Sequence, residues 1–164
     1  MLLTGGESSQ PILSFIFGGF NTASWTRVAA ALPYIAIGGL VVSLHARILN
    51  VFQLDGEQAA QLGVDVTKST LIVLAAASLM AAAAVAVAGI IGFVGLIVPH
   101  AARMLVGSDH RRLLPVAAFG GAVFLIAADL ASRTLLAPQE IPVGVLTAML
   151  GGPFFLYLLR TRRV

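Results

Sequence analysis

An acidic and a basic side chain lie four residues apart in one long apolar stretch of this sequence. At that spacing Asp129 and Arg133 share one face of a helix, so we expect them to form an ion pair. A carboxylate in an apolar span is costly and is by default a candidate for function. A proton-coupled carrier that uses Asp129 therefore stays open. Arg133 could also meet an acidic group on a partner protein.

The other residues capable of chemistry do not form a catalytic or metal-binding pattern. His45, His100 and His110 lie on different segments without ligand spacing, and the sequence has no cysteine, which excludes thiolate sites. No GxxxxGK[ST] loop is present, so ATP is expected to bind elsewhere. We find no catalytic triad and no paired carboxylates. The sequence predicts no catalytic residue, no metal ion and no cofactor, and hence no enzyme.

The composition is that of a membrane protein. The 164 residues are 59% hydrophobic and only 10% charged, whereas soluble domains carry about 25% charged residues. A membrane-spanning helix needs about 20 mostly apolar residues. We therefore predict an all-α integral membrane fold, a single membrane domain with five spans at 26–46, 69–89, 92–106, 115–135 and 142–160.

Details of these spans follow from glycine, proline and length. One helix from 70 to 106 would exceed roughly 50 Å at 1.5 Å per residue, so two helices with a turn at Gly89 are expected. Pro99 should tilt or partly break the third span. Pro115 suits the first turn of the fourth span. Residues 1–25 form an outside segment and lack a basic n-region and cleavage site, so no signal peptide is expected.

The basic residues are unevenly divided between the two faces that alternating spans create. Arg27 and Arg133 fall on one face. The other eight of the ten fall on the opposite face: Arg47, Lys68, Arg103, Arg111, Arg112, Arg160, Arg162 and Arg163. Loops rich in Lys and Arg stay cytoplasmic, which predicts a cytoplasmic C-terminus. Because these residues flank apolar spans, we interpret them as topology signals and expect no nucleic-acid partner.

Two loops on the basic face are polar. Residues 47–68 form the longest break, within which LDGEQAAQLG could form a short helix that opens near Asp55 and ends at Gly63. Such a helix is either a solvated connection or a docking surface for a cytoplasmic partner, and the residues alone leave both open. The loop RMLVGSDHRRLLP, residues 103–115, is expected to set topology, with His110 exposed to solvent.

Several motifs occur in an order typical of one family. They are FVGLIVPH, GSDHRRLLP, AADLASR, PQEIPVG and GGPFF, all within residues 92–159. This stretch resembles the C-terminal half of FecCD-type permeases, the membrane subunits of ATP-binding-cassette (ABC) importers for iron–siderophore complexes, haem and vitamin B12. Residues 48–64 resemble the cytoplasmic coupling segment of these permeases, and residues 17–25 resemble the outside turn before their sixth helix.

The resemblance implies ten helices per subunit, of which these spans would be helices six to ten, and a dimer of two permease subunits. It also implies cytoplasmic ABC ATPase subunits and an extracytoplasmic substrate-binding protein as partners, and a place in the inner (plasma) membrane. Arg133 and Glu140 would dock the binding protein. The ATPase-coupling residues would be Leu54, Asp55, Gly56, Glu57, Ala59, Ala60, Leu62 and Gly63.

The favoured hypothesis is a permease subunit that hydrolyses nothing itself and couples to a separate ATPase. Because the family is about twice as long as this chain, we expect a fragment or a split subunit. A small membrane solute-binding protein is one alternative, although Trp25 and two tyrosines offer little for a pocket. A proton-coupled carrier built on Asp129 is the other. The residues do not distinguish siderophore, haem and cobalamin as cargo.

Overall fold

The protein is described by a computed structural model for residues 15–52, 65–135 and 141–161. Every regular element in these ranges is helical. Residues 15–17 are helical, and six further helices follow: α1 Trp25–Leu44, α2 Ala46–Val51, α3 Val66–Ala88, α4 Val94–Val106, α5 His110–Thr134 and α6 Val143–Thr161. The all-α fold is the one that the sequence predicts.

Four of these helices are long and apolar enough to cross a membrane, namely α1, α3, α5 and residues 143–160 of α6. The fifth apolar helix, α4, has 13 residues, about 20 Å at 1.5 Å per residue, which is shorter than the roughly 30 Å hydrocarbon core. The chain is thus a multi-pass membrane protein with about five apolar helices. Within α4 the helix continues through Pro99, so the partial break expected there is wrong.

The turn between α3 and α4 depends on left-handed backbone. Gly89 caps α3 with φ of 68°, and Phe93 precedes α4 with φ of 66°. A glycine adopts this conformation without the clash that a Cβ causes. The prediction of two helices in place of one long helix is confirmed.

The helix α5 begins five residues earlier than we expected, at His110. The Asp109 side chain accepts a hydrogen bond from the Arg111 backbone N–H at 3.0 Å, which satisfies one of the free donors at a helix start. Pro115 therefore lies inside the helix, beyond its first turn. Membrane helices tolerate an internal proline because neighbouring groups satisfy the backbone.

Small residues let the helices approach closely. Five of the buried apolar residues are alanines: Ala31, Ala46, Ala76, Ala102 and Ala128. Where α1 meets α3, a Cβ placed at Gly38 would lie 2.9 Å from the Ala76 carbonyl oxygen. In a membrane, lipid tails are as apolar as the side chains, so the hydrophobic effect does not drive helices together. Close van der Waals packing of this kind contributes to holding them together instead. α4 packs on α5, and α6 contacts both.

Large apolar side chains cover the outside of the bundle. Phe119 is 75% exposed and Met104 is 78% exposed. Large apolar side chains exposed in this number are not typical of a protein surface that faces water. It fits contact with lipid or with other helices.

Candidate coupling and docking site

Polar contacts between distant parts of the chain gather at the two opposite ends of the helix bundle. We call these the Asn50 end, which holds residues 45–52, 65 and 107–110, and the Arg133 end, which holds residues 15–24, 89–93, 133–135 and 141–142.

At the Arg133 end, three segments are joined by backbone hydrogen bonds. The Gly19 N–H donates to the Ala88 carbonyl at 2.8 Å, and the Ile90 N–H donates to the Phe15 carbonyl at 3.1 Å. The Gly144 N–H donates to the Gly18 carbonyl at 3.3 Å. The start of α6 is thereby tied to the segment before α1 and to the turn after α3.

Glycines make this contact possible, and we call Gly18, Gly89 and Gly144 together the glycine junction. Gly18 and Gly89 have positive φ, and a Cβ on either would meet a backbone carbonyl of the facing segment. A Cβ on Gly144 would overlap the Phe17 carbonyl oxygen and lie 3.0 Å from that of Ile90. The three segments therefore pack backbone against backbone.

The Asp129–Arg133 pair lies near the same end, on the last turns of α5. Arg133 Nε is 2.9 Å from Asp129 Oδ2, and Arg133 Nη2 is 3.1 Å from Asp129 Oδ1. This is the two-bond arrangement in which a guanidinium binds a carboxylate most specifically. The Arg133 side chain is 40% exposed, so the guanidinium can meet a partner while it contacts Asp129.

The turn that carries this pair also holds the chain leading into α6. The Ser132 hydroxyl donates to the Asp129 carbonyl at 2.7 Å, and the Ile141 N–H donates to the Ser132 carbonyl at 3.2 Å. Ser132 is 3% exposed and Thr147 in α6 is fully buried. The turn that carries the ion pair is therefore part of the helix that contacts α6, and α6 contains Gly144 of the glycine junction.

At the Asn50 end, one amide side chain joins two helices that are far apart in sequence. Asn50 Nδ2 donates to Asp109 Oδ1 at 2.6 Å. Asn50 Oδ1 accepts from the His110 backbone N–H at 2.8 Å, and His110 Nδ1 lies 2.8 Å from the same oxygen. We call this cluster of Asn50, Asp109 and His110 the Asn50 latch. His110 is half-buried in it, so the expectation that His110 is exposed to solvent is wrong.

The latch keeps Asp109 charged. The hydrogen bond from Asn50, together with the Arg111 backbone N–H and the charges of Arg111 and Arg112, lowers the pKa of Asp109 below 3.8. Its contribution to stability is therefore present above pH 3.8 and is lost only as the pH falls through the lowered pKa. Lys68 acts similarly on Asp65 at the start of α3, through its backbone N–H and its ammonium group, and lowers that pKa as well.

The comparison with known proteins decides the family. The FecCD transport family matches residues 1–161. The chain belongs to this family. The cobalamin import system permease protein BtuC of Halobacterium salinarum is 48% identical over 164 residues, which is 100% of this chain and 44% of that protein. The hemin transport system permease protein HmuU of Yersinia pestis is 48% identical over 146 residues, which is 89% of this chain and 44% of that protein.

A solved structure supports the same family. A chain described as a metal-chelate type ABC transporter in an inward-facing conformation is similar with a TM-score of 0.84 and 33% identity, over 96% of this chain and 51% of that chain. This FecCD chain thus spans about half the length of the relatives it matches. The two named relatives are permease proteins of a cobalamin import system and of a hemin transport system.

Most predicted site residues of this FecCD chain lie outside the described residues. This holds for Glu140 and for the whole coupling set, Leu54, Asp55, Gly56, Glu57, Ala59, Ala60, Leu62 and Gly63. The structure describes the residues on both sides of that set, which are α2 before it and Asp65 after it. Of the predicted docking and charge-pair residues, Asp129 and Arg133 are described and in contact.

The sequence did not reveal two features of the site. The Asn50 latch joins residues 59 and 60 positions apart, and no local pattern links them, although each lies in a stretch that resembles the FecCD family. The sequence also did not predict the close backbone contact at Gly144, because a glycine near a helix start can serve several structural roles. The contact becomes evident only from the segments that face Gly144 in the structure.

Proposed function

We propose that this chain is the part of an ABC importer permease that couples a cytoplasmic ATPase to passage of a metal chelate or corrinoid across the membrane. The observation that carries the proposal is the match of residues 1–161 to the FecCD transport family. The described helices support it, because α1, α3, α5 and α6 are long and apolar enough to span a membrane. ATP hydrolysis belongs to a separate partner in this proposal.

We propose that the Asn50 end faces the cytoplasm. Most basic residues of the described chain fall at this end by alternation of the helices, and such residues stay cytoplasmic. The segment 54–63 connects α2 to Asp65 in the sequence. Because α2 and Asp65 both lie at this end, we expect an ATPase subunit to dock there. A second permease subunit would complete the path.

We propose that the Arg133 end receives the substrate-binding protein. Arg133 is basic and partly exposed, so it can pair with a carboxylate of that partner, and Glu140 follows in the same connection between α5 and α6. Complementary charges of this kind speed association and fix the orientation of two proteins.

The names of the relatives support a proposal for the cargo class. They give cobalamin and iron(3+)-hydroxamate as imported compounds and hemin as a transported one. We propose a metal-centred organic complex of this class, an iron complex or vitamin B12. Uptake of radiolabelled cobalamin, hemin and ferric hydroxamate by cells with and without the gene identifies the cargo.

Labelling of single cysteines tests the orientation. The sequence contains no cysteine, so Glu57→Cys and Glu140→Cys each introduce a unique thiol. We expect a membrane-impermeant maleimide to label the position-140 variant in intact cells and the position-57 variant only after the membrane is opened. Labelling of position 57 from outside would overturn the proposed orientation and the coupling role with it.

Charge reversal of the same two glutamates tests the partners. Glu57→Lys should reduce copurification of the ATPase by about tenfold, because a reversed charge at a protein contact costs roughly 1.4 kcal/mol or more. Glu140→Lys is the matched control, with the same chemical change at the other end. It should leave ATPase copurification intact and weaken capture of the binding protein.

If no ATPase copurifies with the unchanged protein under conditions that preserve membrane complexes, the chain does not act as an importer subunit. If both variants lose the ATPase equally, Glu57 has no specific coupling role.

A further inference from the structure

The helix α2 is too short to hold its own position. It has six residues, and isolated helices of fewer than about 12 residues do not persist in water. At its start, His45 Nδ1 lies 2.8 Å from the Val41 carbonyl oxygen of α1, and Ala46 is buried. Near its end, the Asn50 side chain forms hydrogen bonds with Asp109 and with the His110 backbone N–H at the start of α5. The orientation of α2 therefore depends on contacts at both of its ends.

Asn50 uses both halves of its amide in the Asn50 latch. Its NH₂ group donates to the Asp109 carboxylate, and its oxygen accepts from the His110 backbone N–H. A carboxylate side chain at position 50 could not donate, and an apolar side chain could do neither. The Asn50 amide thus donates to one partner and accepts from the other, and this pairing fixes α2 to the start of α5 in one orientation.

The helix α5 connects the latch to the other end of the bundle. It has 25 residues, roughly 37 Å at 1.5 Å per residue, and is the longest of the helices named above. Its first residue, His110, belongs to the latch, and its last turns carry Asp129 and Arg133. A displacement of its start along the helix axis therefore reaches the Arg133 end, because a hydrogen-bonded helix does not shorten.

We propose that Asn50 is a positioning residue that makes α2 and α5 move as one unit. It thereby passes movement imposed on the chain after α2 to the turn that carries Arg133. This inference rests on the proposed function, since it takes the ATPase to act at the Asn50 end. Without Asn50, α2 would swing independently of α5, and ATP hydrolysis would no longer be tied to movement at the far end.

The test compares transport with ATP hydrolysis in the assembled importer, reconstituted with its ATPase and binding protein in liposomes. Asn50→Ala should leave ATPase copurification and ATP hydrolysis near the unchanged level. The cargo imported per ATP hydrolysed should fall about tenfold, since hydrogen bonds that include one to a charged group are lost. Thr67→Ala, an exposed side chain of α3 at the same end, is the control and should retain full coupling.

A reciprocal exchange separates coupling from simple loss of structure. In the double variant Asn50→Asp with Asp109→Asn, the donor and acceptor trade places, the His110 N–H keeps an acceptor, and asparagine still caps α5. We expect this variant to restore coupling, whereas Asn50→Asp alone places two carboxylates together and should not.

Each other outcome overturns the inference. Full coupling in Asn50→Ala, or loss of coupling that the exchange does not restore, shows that Asn50 has no positioning role. A parallel fall in assembly, hydrolysis and uptake shows a purely structural role. If the unchanged chain binds no ATPase, the proposed function fails first, and the inference falls with it.

Discussion

Gly144→Ala is expected to destabilise the protein by about 3 kcal/mol, the upper part of the range for overpacked sites. The added Cβ would overlap the Phe17 carbonyl oxygen and approach that of Ile90. Neither oxygen can move freely, since both belong to segments held by backbone hydrogen bonds at the glycine junction. On the scale of soluble domains of similar length, the loss corresponds to a fall in Tm of roughly 6–12 °C. Heating the detergent-solubilised protein and measuring the surviving monodisperse fraction by size-exclusion chromatography checks it.

Gly152→Ala in the same helix is the matched control. A Cβ at Gly152 meets nothing within 4 Å apart from its chain neighbours, so the change should be nearly neutral, because a gain of about 0.5–1 kcal/mol in helix propensity is offset by contact with the ring of Pro153. If both variants lost the same stability, the cause would be α6 itself, and the glycine junction would not be the point that holds the segments together.

Arg133→Ala is expected to lower cargo uptake about tenfold by weakening capture of the substrate-binding protein. Because the change also removes the ion-pair partner of Asp129, the amount of folded protein is measured first, and uptake is expressed per folded protein. Uptake at increasing concentrations of binding protein measures the effect. Excess binding protein should restore part of the rate, which a defect in the transport step itself would not allow.

An exchange of the two charges separates docking from pairing. The variant Asp129→Arg with Arg133→Asp keeps the i,i+4 ion pair on the helix but puts an acid where we propose that the partner binds. Uptake should stay low. Recovery of uptake would show that Arg133 serves only to neutralise Asp129.

Asp129→Asn tests the carrier alternative. Asp129 is engaged by two hydrogen bonds from Arg133, so we expect uptake in the Asn variant to keep its dependence on ATP and on pH. If the unchanged protein took up cargo in a way that depends on pH and not on ATP, and the Asn variant lost this uptake, the proton-coupled carrier would be favoured instead.

Local patterns were sufficient for the fold. The apolar stretches predict the helices because a span must bury its backbone polar groups in its own hydrogen bonds. The turn near Gly89 followed from the length of the apolar stretch together with its glycines. The start of α5 was misplaced because Pro115 looked like a helix start, whereas the Asp109 side chain caps the helix five residues earlier. The cap depends on one side-chain rotamer, which composition does not reveal.

Only part of the candidate site could be predicted from local sequence patterns. The contact between Asp129 and Arg133 lies within one helical turn, so spacing alone suggests it. The Asn50 latch joins positions 59 and 60 residues apart. A single sequence does not indicate that these residues are in contact, because an asparagine and an aspartate in two loops that never meet would give the same sequence pattern.

The sequence by itself determined that the chain crosses a membrane several times, which family it resembles and which end carries most positive charge. These properties follow from hydrophobicity, order of motifs and the cost of moving charge across lipid, all of which are local or additive. The tertiary structure alone decided that Asn50 fixes α2 to α5 and that Gly144 lets three segments meet backbone to backbone. Such contacts depend on which distant groups packing brings within hydrogen-bond reach, and no sum over single residues contains that information.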